Sequence, residues 1–340
     1  MKHTHIIGLG GYLPEQILHN KDLPAALETS DAWIRERTGI EQRHIAAEGQ
    51  FTSDLATAAA KQALEDAGLT IDDIDAIIVA TTTPDMVFPS TASIVQFKLG
   101  ATSIPAWDIQ AVCSGFVYGL AQVDGMMRGG MFERVLLIGA ERMSHILDWS
   151  DRSTCVLFGD GAGAVVLEYR DDGTEHGVIG STLHADGAYR DLLMANHAQR
   201  NQVIPGFGGQ NAPDLRLDSA GVAAVEMRGN EVFRTAVKQL GAVVDEVLEL
   251  HGLTHNDLDH LIPHQANLRI IQATAKKLKM SLDHVAVTVN KHANTSAASV
   301  PLAMHALYQQ NAFKAGDLLL LEAFGAGFVW GANLVRWSKQ

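Results

Sequence analysis

Residues 64–78, LEDAGLTIDDIDAII, return as residues 248–262, LELHGLTHNDLDHLI, without a gap and with eight identical positions in fifteen. Each copy reads as the end of a helix, a glycine that closes it, an acidic turn and a short apolar strand, which is how an α/β unit is written. A match of this length at one fixed spacing marks duplication of a structural unit. Two further pairs flank it. The strand-like run HTHIIGLG around Ile7 is matched by EHGVIGST around Ile179, which follows the turn Asp171 to Gly173. Phe158-Gly159-Asp160-Gly161 is matched by Phe324-Gly325-Ala326-Gly327, each preceding a strand-like run that ends at Arg170 or Arg336. The chain therefore reads as two fused α/β halves, an amino-terminal one over 1–170 and a carboxy-terminal one over 171–340. Between the markers, helical stripes alternate with short apolar runs such as Val135 to Gly139 and Leu318 to Leu321, the pattern of a largely parallel sheet covered by helices. Equivalent loops of the two halves then meet at one interface, where pockets form, so functional residues are expected from both. One stretch departs from the pattern: Ala195 to Val225, rich in Gly, Asn, Gln, Pro and Ala and without a period, reads as a long surface loop.

Composition narrows the classes of function. With 340 residues, 47% of them hydrophobic and 19% charged, the chain can bury a large core, which excludes disordered and fibrous proteins. Its 26 basic and 39 acidic side chains give a net charge of −13, so the overall field repels phosphate backbones and anionic lipid, and nucleic acid is not an expected partner. No apolar run approaches the roughly 18 to 20 residues that a bilayer requires, so no membrane association is expected. The amino end, MKHTHIIGLGGYLP, is interrupted by glycines and Pro14 before any small-residue cleavage site, so a cytosolic chain is expected. Cys113 and Cys155 are too few for a disulfide framework and are expected as free thiols.

Cys113 stands in DIQAVCSGF, where a strand-like Trp107 to Val112 gives way to Phe116, Leu120, Val123 and Met127 at helical spacing. A cysteine at a helix N-terminus meets unpaired N–H groups that favour its thiolate, so Cys113 is a candidate nucleophile of lowered pKa. Cys155, in the apolar run TCVLF, reads as core. A nucleophile of this kind needs a proton partner and a group that holds negative charge on the substrate. His264 follows the duplicated strand, in PHQANLRI, with a new helix opening near Ala266. Because the first half carries Thr81 or Thr82 at the corresponding place, the architecture does not itself demand the histidine. Asn294, in NKHANTSAAS, follows a strand-like run from His284 to Val289; it is either a polar partner for the reaction or a helix cap, and His292 is a rival base. Gly325, Gly327 and Gly331 either present a backbone N–H to an oxyanion or allow close passage between layers. The glycines at 8–11 lack the G-x-G-x-x-G spacing, and no Walker A run, H-E-x-x-H or paired-cysteine metal motif occurs, so no dinucleotide or metal cofactor is expected.

Taken together and in order, SDAWIRERTGI, DIQAVCSGF, FGDGAGA, PHQANLRI, HANTSAAS and AFGAGFVWG resemble β-ketoacyl-acyl-carrier-protein synthase III, a condensing-enzyme family of the thiolase superfamily, over about the whole chain. The resemblance implies a thiolase-like fold, two α/β halves related by a pseudo-twofold and layered α-β-α-β-α. It implies that Cys113 accepts an acyl group, that His264 and Asn294 hold the malonyl thioester carbonyl, and that the N–H groups of Cys113 and Gly327 form the oxyanion hole. Trp33, Arg37 and Arg152 correspond to residues that grip coenzyme A, Asn267 to one lining the pantetheine tunnel, and Phe88 and Phe158 to acyl-pocket residues, with Phe88 reaching a second subunit of a homodimer. Gln265 to Met280 carries Arg269, Lys276, Lys277 and Lys279 with no acidic residue, a +4 face suited to an acidic carrier protein and joined by Arg234. Ser114 and Ala326 replace the Ala and Gly often found at these motif positions. The implied reaction is decarboxylative condensation of a short acyl-CoA, acetyl-CoA foremost, with malonyl-acyl carrier protein. The alternatives are a relative using other acyl chains for quinolone, polyketide or long-chain ketone synthesis, a non-catalytic carrier-binding subunit, and a thioester hydrolase.

Overall fold

The structure, a computed structural model, describes residues 2–195 and 224–339. The first half runs β1 (His3–Tyr12), β2 (Gln16–His19), α1 (Asp31–Thr38), β3 (Gln42–Ile45), α2 (Thr52–Ala67), β4 (Ala76–Ala80), α3 (Thr91–Leu99), β5 (Ala106–Ile109), α4 (Gly115–Arg128), β6 (Arg134–Arg142) and β7 (Asp160–Arg170). The second runs β8 (Gly177–Ala185), β9 (Leu193–Ala195), β10 (Val225–Met227), α5 (Gly229–Leu250), β11 (His260–Pro263), α6 (Leu268–Lys277), α7 (Val289–His292), α8 (Ser299–Tyr308), β12 (Leu318–Gly325) and β13 (Val329–Arg336).

The duplicated segment folds the same way twice. Gly68 and Gly252 close α2 and α5 with φ of 66° in each case, a left-handed conformation that glycine adopts without steric cost. Thr70 and Asp73, and equally Thr254 and Asp257, then form reciprocal capping pairs before β4 and β11. Asp75 accepts the backbone N–H groups of Glu133 and Arg134, and its counterpart Asp259 accepts that of Leu318, all at 2.8 Å, tying each strand to its neighbour.

The two principal sheets have the orders β1-β7-β6-β4-β5 and β8-β13-β12-β11, one the counterpart of the other. They are mixed rather than largely parallel. Only β4–β5, β4–β6 and β11–β12 are parallel pairs, whereas β7 and β13 lie antiparallel to both their neighbours. The reason is local: β12 and β13 are joined by the turn 326–328, too short for a crossover, so the strand must return antiparallel. The expected strand from His284 to Val289 is reduced to one parallel bridge, Leu261 to Val285, where β5 stands in the first sheet.

Side chains sort into five layers. Helices α2 and α3 cover the outer face of the first sheet through Leu55, Ala59, Ala63 and Val95. Helices α4 and α8 fill the space between the sheets, with Phe116, Leu120, Val300 and Met304 meeting Ile78 and Val165 on one side and Leu319 and Leu321 on the other. Helices α5 and α6 cover the second sheet through Val243, Val247 and Ile271. This is the expected α-β-α-β-α order. The expected loop from Ala195 to Val225 lies outside the described residues at 196–223, while its two ends pair as the antiparallel ribbon β9–β10.

Candidate active site

Strand β5 is followed by a 3-10 turn, Val112–Ser114, that runs directly into α4, so Cys113 sits at the mouth of a helix as its sequence requires. Val112 has a φ of 46°, a left-handed conformation that a β-branched residue adopts only under constraint. The turn after β12 closes on the same point: a Cβ at Gly325 would lie 2.9 Å from the Cys113 nitrogen, so only glycine lets the two backbones approach this closely. The expectation of a lowered thiol pKa is not met. Burial pushes the Cys113 thiol up to about 12, helped by the charge of Glu141 and opposed by a bond from Ser296, so in the resting protein desolvation outweighs the helix end. Cys155 is fully buried core, as read from the sequence, and burial lifts its thiol to about 11.

His264 follows β11, in the place that Thr81 occupies after β4. Its N–H is held by the Glu322 carbonyl at 2.8 Å, and its Nδ1 lies 2.5 Å from Ser299 Oγ. Ser299 Oγ also accepts the Gln265 N–H at 3.2 Å, and in the tautomer in which its hydroxyl donates to Nδ1 the imidazole proton lies on Nε2. Burial pushes the His264 pKa down to about 3, so the ring is a neutral N–H donor. The helix after it is N-capped by Asn267 and opens at Leu268, two residues beyond Ala266.

Asn294 is half-way between the readings its sequence left open. Its backbone pairs with the cavity wall, Asn294 N–H to Leu157 and Gly159 N–H to Asn294, while its side-chain Oδ1 accepts the Ser296 N–H at 2.9 Å. With Oδ1 taken, Nδ2 is the end left for a substrate. Its rival His292 is held near pKa 4 by burial and by the neighbouring His44 and Lys291. None of His264, Asn294 and His292 is among the residues that line the cavity beside Cys113, so the cavity wall does not separate the two histidines.

A cavity of about 720 Å³ opens beside Cys113, walled by Thr81, Thr82, Thr83, Met143, Ile146, Phe158 and Ala326. Phe158 thus lies on the wall of the cavity that holds Cys113. Of the two oxyanion-hole residues read from the sequence, Cys113 lines this cavity; Gly327 does not, and its neighbour Ala326 takes that position because Gly327 turns toward Val329. Phe88 is absent from the wall and stands 82% exposed next to Val87, also exposed, an apolar tip without cover among the described residues.

Trp33, Arg37, Arg152 and Asn267 meet at one place. The guanidinium groups of Arg37 and Arg152 lie 4.9 and 5.7 Å from the Trp33 ring, and Asn267 Nδ2 donates to the Arg37 carbonyl at 3.2 Å. Arg234 on α5, Arg269 and Lys276 on α6 and Lys279 just beyond it are exposed, and Arg269 covers the Phe233 ring at 5.6 Å, which joins the two helices into one basic face. That face carries less than the expected +4, because Lys277 Nζ is paired with Asp245 at 2.8 Å. Among the described residues no group of three or more His, Cys, Asp or Glu is arranged to hold a metal ion, and no helix is long and apolar enough to cross a membrane.

Four residues of the site escape a reading of the sequence. Ser296 and Ser299 lie inside HANTSAAS, where small residues ahead of a helix suggest only capping. Gln265 stands in PHQANLRI, where nothing in the sequence marks it apart from its neighbour His264. Glu141 closes an apolar strand, yet it is fully buried and accepts from Thr81, Thr82, Thr83 and Ser296.

Residues 107–187 match the family described as 3-oxoacyl-[acyl-carrier-protein (ACP)] synthase III, and residues 248–337 match its C-terminal portion. The chain is 53% identical over 338 residues to the β-ketoacyl-[acyl-carrier-protein] synthase III of Thiobacillus denitrificans, spanning 99% of this chain and 100% of that one. The crystal structure of 3-oxoacyl-[acyl-carrier-protein] synthase III from Aquifex aeolicus VF5 superposes with a TM-score of 0.88 at 43% identity, covering 98% of this chain and 100% of that one. The priming β-ketosynthase of the R1128 polyketide pathway superposes with a TM-score of 0.89 at 31% identity, covering 99% of this chain and 97% of that one.

Proposed function

The chain belongs to the β-ketoacyl-acyl-carrier-protein synthase III family of condensing acyltransferases, and from that premise we propose that it joins a short acyl group from acyl-CoA to malonyl-acyl carrier protein through an acyl-Cys113 intermediate. The supporting observation is the segment 294–299, which reaches all three groups: Ser296 bonds the Cys113 thiol, its N–H fixes Asn294, and Ser299 orients His264.

The chemistry follows from these states. In the first step Cys113 sulfur attacks the acyl thioester carbon, the carbon–sulfur bond to coenzyme A breaks, and the thiol proton leaves with the CoA sulfur. Malonyl-acyl carrier protein then enters the same channel. Its thioester oxygen accepts from His264 Nε2 and Asn294 Nδ2, and loss of CO2 leaves an enolate whose charge those two donors hold. Its carbon attacks the acyl-Cys113 carbonyl, and the oxyanion of that step is received by the Cys113 N–H and by the turn at 325–327, where Ala326 is the residue facing the cavity. The carbonyl then re-forms as the carbon–sulfur bond to Cys113 breaks, releasing β-ketoacyl-acyl carrier protein and a Cys113 thiolate that takes up a proton from solvent. Removing one such donor typically costs about 2.7 to 4 kcal/mol of barrier. A neutral His264 suits this role, since a donor near the enolate need not change its charge.

Trp33, Arg37, Arg152 and Asn267 receive the nucleotide end of coenzyme A in this reading, Arg234, Arg269, Lys276 and Lys277 receive the acidic carrier protein, and Phe88 enters a second copy's acyl pocket. The two halves, 1–170 and 171–340, divide the labour: the first brings the nucleophile and the second its partners. The enzyme requires no metal in this scheme and acts in the cytosol. Three variants test it. Cys113→Ala takes up no acyl group, whereas His264→Ala and Asn294→Ala become acylated but do not decarboxylate malonyl thioester; labelled acyl transfer to Cys113→Ala overturns the assignment.

A further inference from the structure

Glu141 is a buried carboxyl that the reaction just described does not use. It is the penultimate residue of β6 and accepts from the three residues that follow β4: Thr81 Oγ1 at 3.2 Å, the N–H and Oγ1 of Thr82 at 3.0 Å each, and the N–H and Oγ1 of Thr83 at 3.1 and 2.6 Å. The sixth donor is Ser296 Oγ at 3.0 Å, from the second half of the chain. Six donors on two oxygens are what an ionised carboxylate takes, and a neutral amide or acid would set a hydrogen against one of them. Ser296 is held in a left-handed conformation, φ 49°, which L side chains adopt only where surrounding bonds impose it.

We propose that Glu141 is the positioning residue of the condensing site, acting through Ser296 to set the Cys113 thiol and the Asn294 carboxamide at once. The one hydrogen of the Ser296 hydroxyl lies on Glu141 beside the neutral thiol and turns to the sulfur when the thiol ionises, while the N–H of the same residue holds Asn294 Oδ1 and turns Nδ2 outward. The threonines that grip Glu141 also wall the cavity, so one carboxylate fixes nucleophile, carboxamide and acyl pocket in a common frame. The two groups act on the thiol in opposite senses: Ser296 favours its anion and the charge of Glu141 opposes it. Asp85, Asp108, Arg142 and His145 share the cavity wall, but the charge that acts on the thiol is that of Glu141.

This inference rests on the roles given above to Cys113 and Asn294, and the test separates the two. Ser296→Ala, Glu141→Gln and the double variant are compared for malonyl-thioester decarboxylation and for the pH profile of Cys113 alkylation by iodoacetamide. Loss of a fixed geometry lowers the decarboxylation rate by up to about 100-fold in each single variant. The double variant is no slower than the worse single one, because both break the same chain. The alkylation profile moves to higher pH in Ser296→Ala and to lower pH in Glu141→Gln, opposite shifts that general loosening does not produce. If Glu141→Gln does not fold, the rate and profile of Ser296→Ala decide alone. Losses that multiply in the double variant, or an alkylation profile unmoved in Ser296→Ala, overturn the proposal. Full decarboxylation by Asn294→Ala instead overturns the underlying assignment of Asn294.

Discussion

Replacing Glu322 by glutamine should make the protein more stable, and by an amount that depends on pH. Glu322 lies in β12, fully buried, and among the described residues its oxygens make no full hydrogen bond, the nearby Thr274 hydroxyl exerting only a weak pull. Burial lifts its pKa from an ordinary value of 4.5 to about 8, against smaller favourable effects of Thr274 and Lys277. At neutral pH the folded chain therefore keeps this proton and the unfolded chain releases it. For an acid raised in this way, the stability is fully present below about pH 4.5 and is lost as pH rises toward 8. At about 1.4 kcal/mol per pKa unit, the loss is about 3 kcal/mol at pH 7 and about 5 kcal/mol once the folded form also ionises. Glutamine keeps the shape, carries no ionisation and escapes the loss. Urea melts of both proteins at pH 5, 7 and 9 should show the variant's advantage growing by about 2 to 3 kcal/mol between pH 5 and 7 and by about 1 to 1.5 kcal/mol more by pH 9. A difference that stays constant across that range refutes the burial argument. The site has a stake in this, because the Glu322 carbonyl holds the backbone of His264.

Alkylation of Cys113 in the wild type should rise about tenfold per pH unit from 7 to 9 without levelling, since a thiol lifted to about 12 is scarcely ionised there; a plateau near pH 8 contradicts it. Trp33→Ala should raise the KM for acyl-CoA about tenfold, roughly 1.4 kcal/mol, and the effect should vanish with a thioester lacking the nucleotide. Phe88→Asp places a charge where an apolar contact is expected and should weaken self-association by at least about 100-fold in sedimentation measurements; an unchanged assembly refutes the role of Phe88. Charge reversal of Lys276 and Arg269 together should raise the KM for malonyl-acyl carrier protein and flatten its salt dependence, while reversal of Lys277, already offset by Asp245, should do less.

The residues that were legible in the sequence are those whose role is written locally. The repeat at 64–78 and 248–262 announces itself because turn glycines, capping pairs and strand follow each other within fifteen positions. The position of Cys113 at a helix mouth was legible because a strand-to-helix junction is a local pattern, and that of His264 because it follows the duplicated strand. What failed was what depends on long-range packing. Strand direction was misread because β-branched runs do not say which neighbour they join, and the antiparallel turn at 326–328 had to be seen. The thiol's pKa was misjudged because a helix end is visible in a sequence and desolvation is not. Glu141 and Ser296 stand 155 residues apart, and only the duplicated fold brings them into contact. Lys277 seemed a free charge because its partner Asp245 lies on another helix.

The central claim is that Cys113 carries the acyl group and that the opposite half of the chain discharges it. Wild-type protein incubated with acyl-CoA and digested for peptide mass spectrometry should carry one acyl group on the peptide containing Cys113, and that group should disappear when malonyl-acyl carrier protein is added. An acyl group found on Cys155 or on no cysteine, or one that water removes as fast as malonyl-acyl carrier protein does, contradicts it.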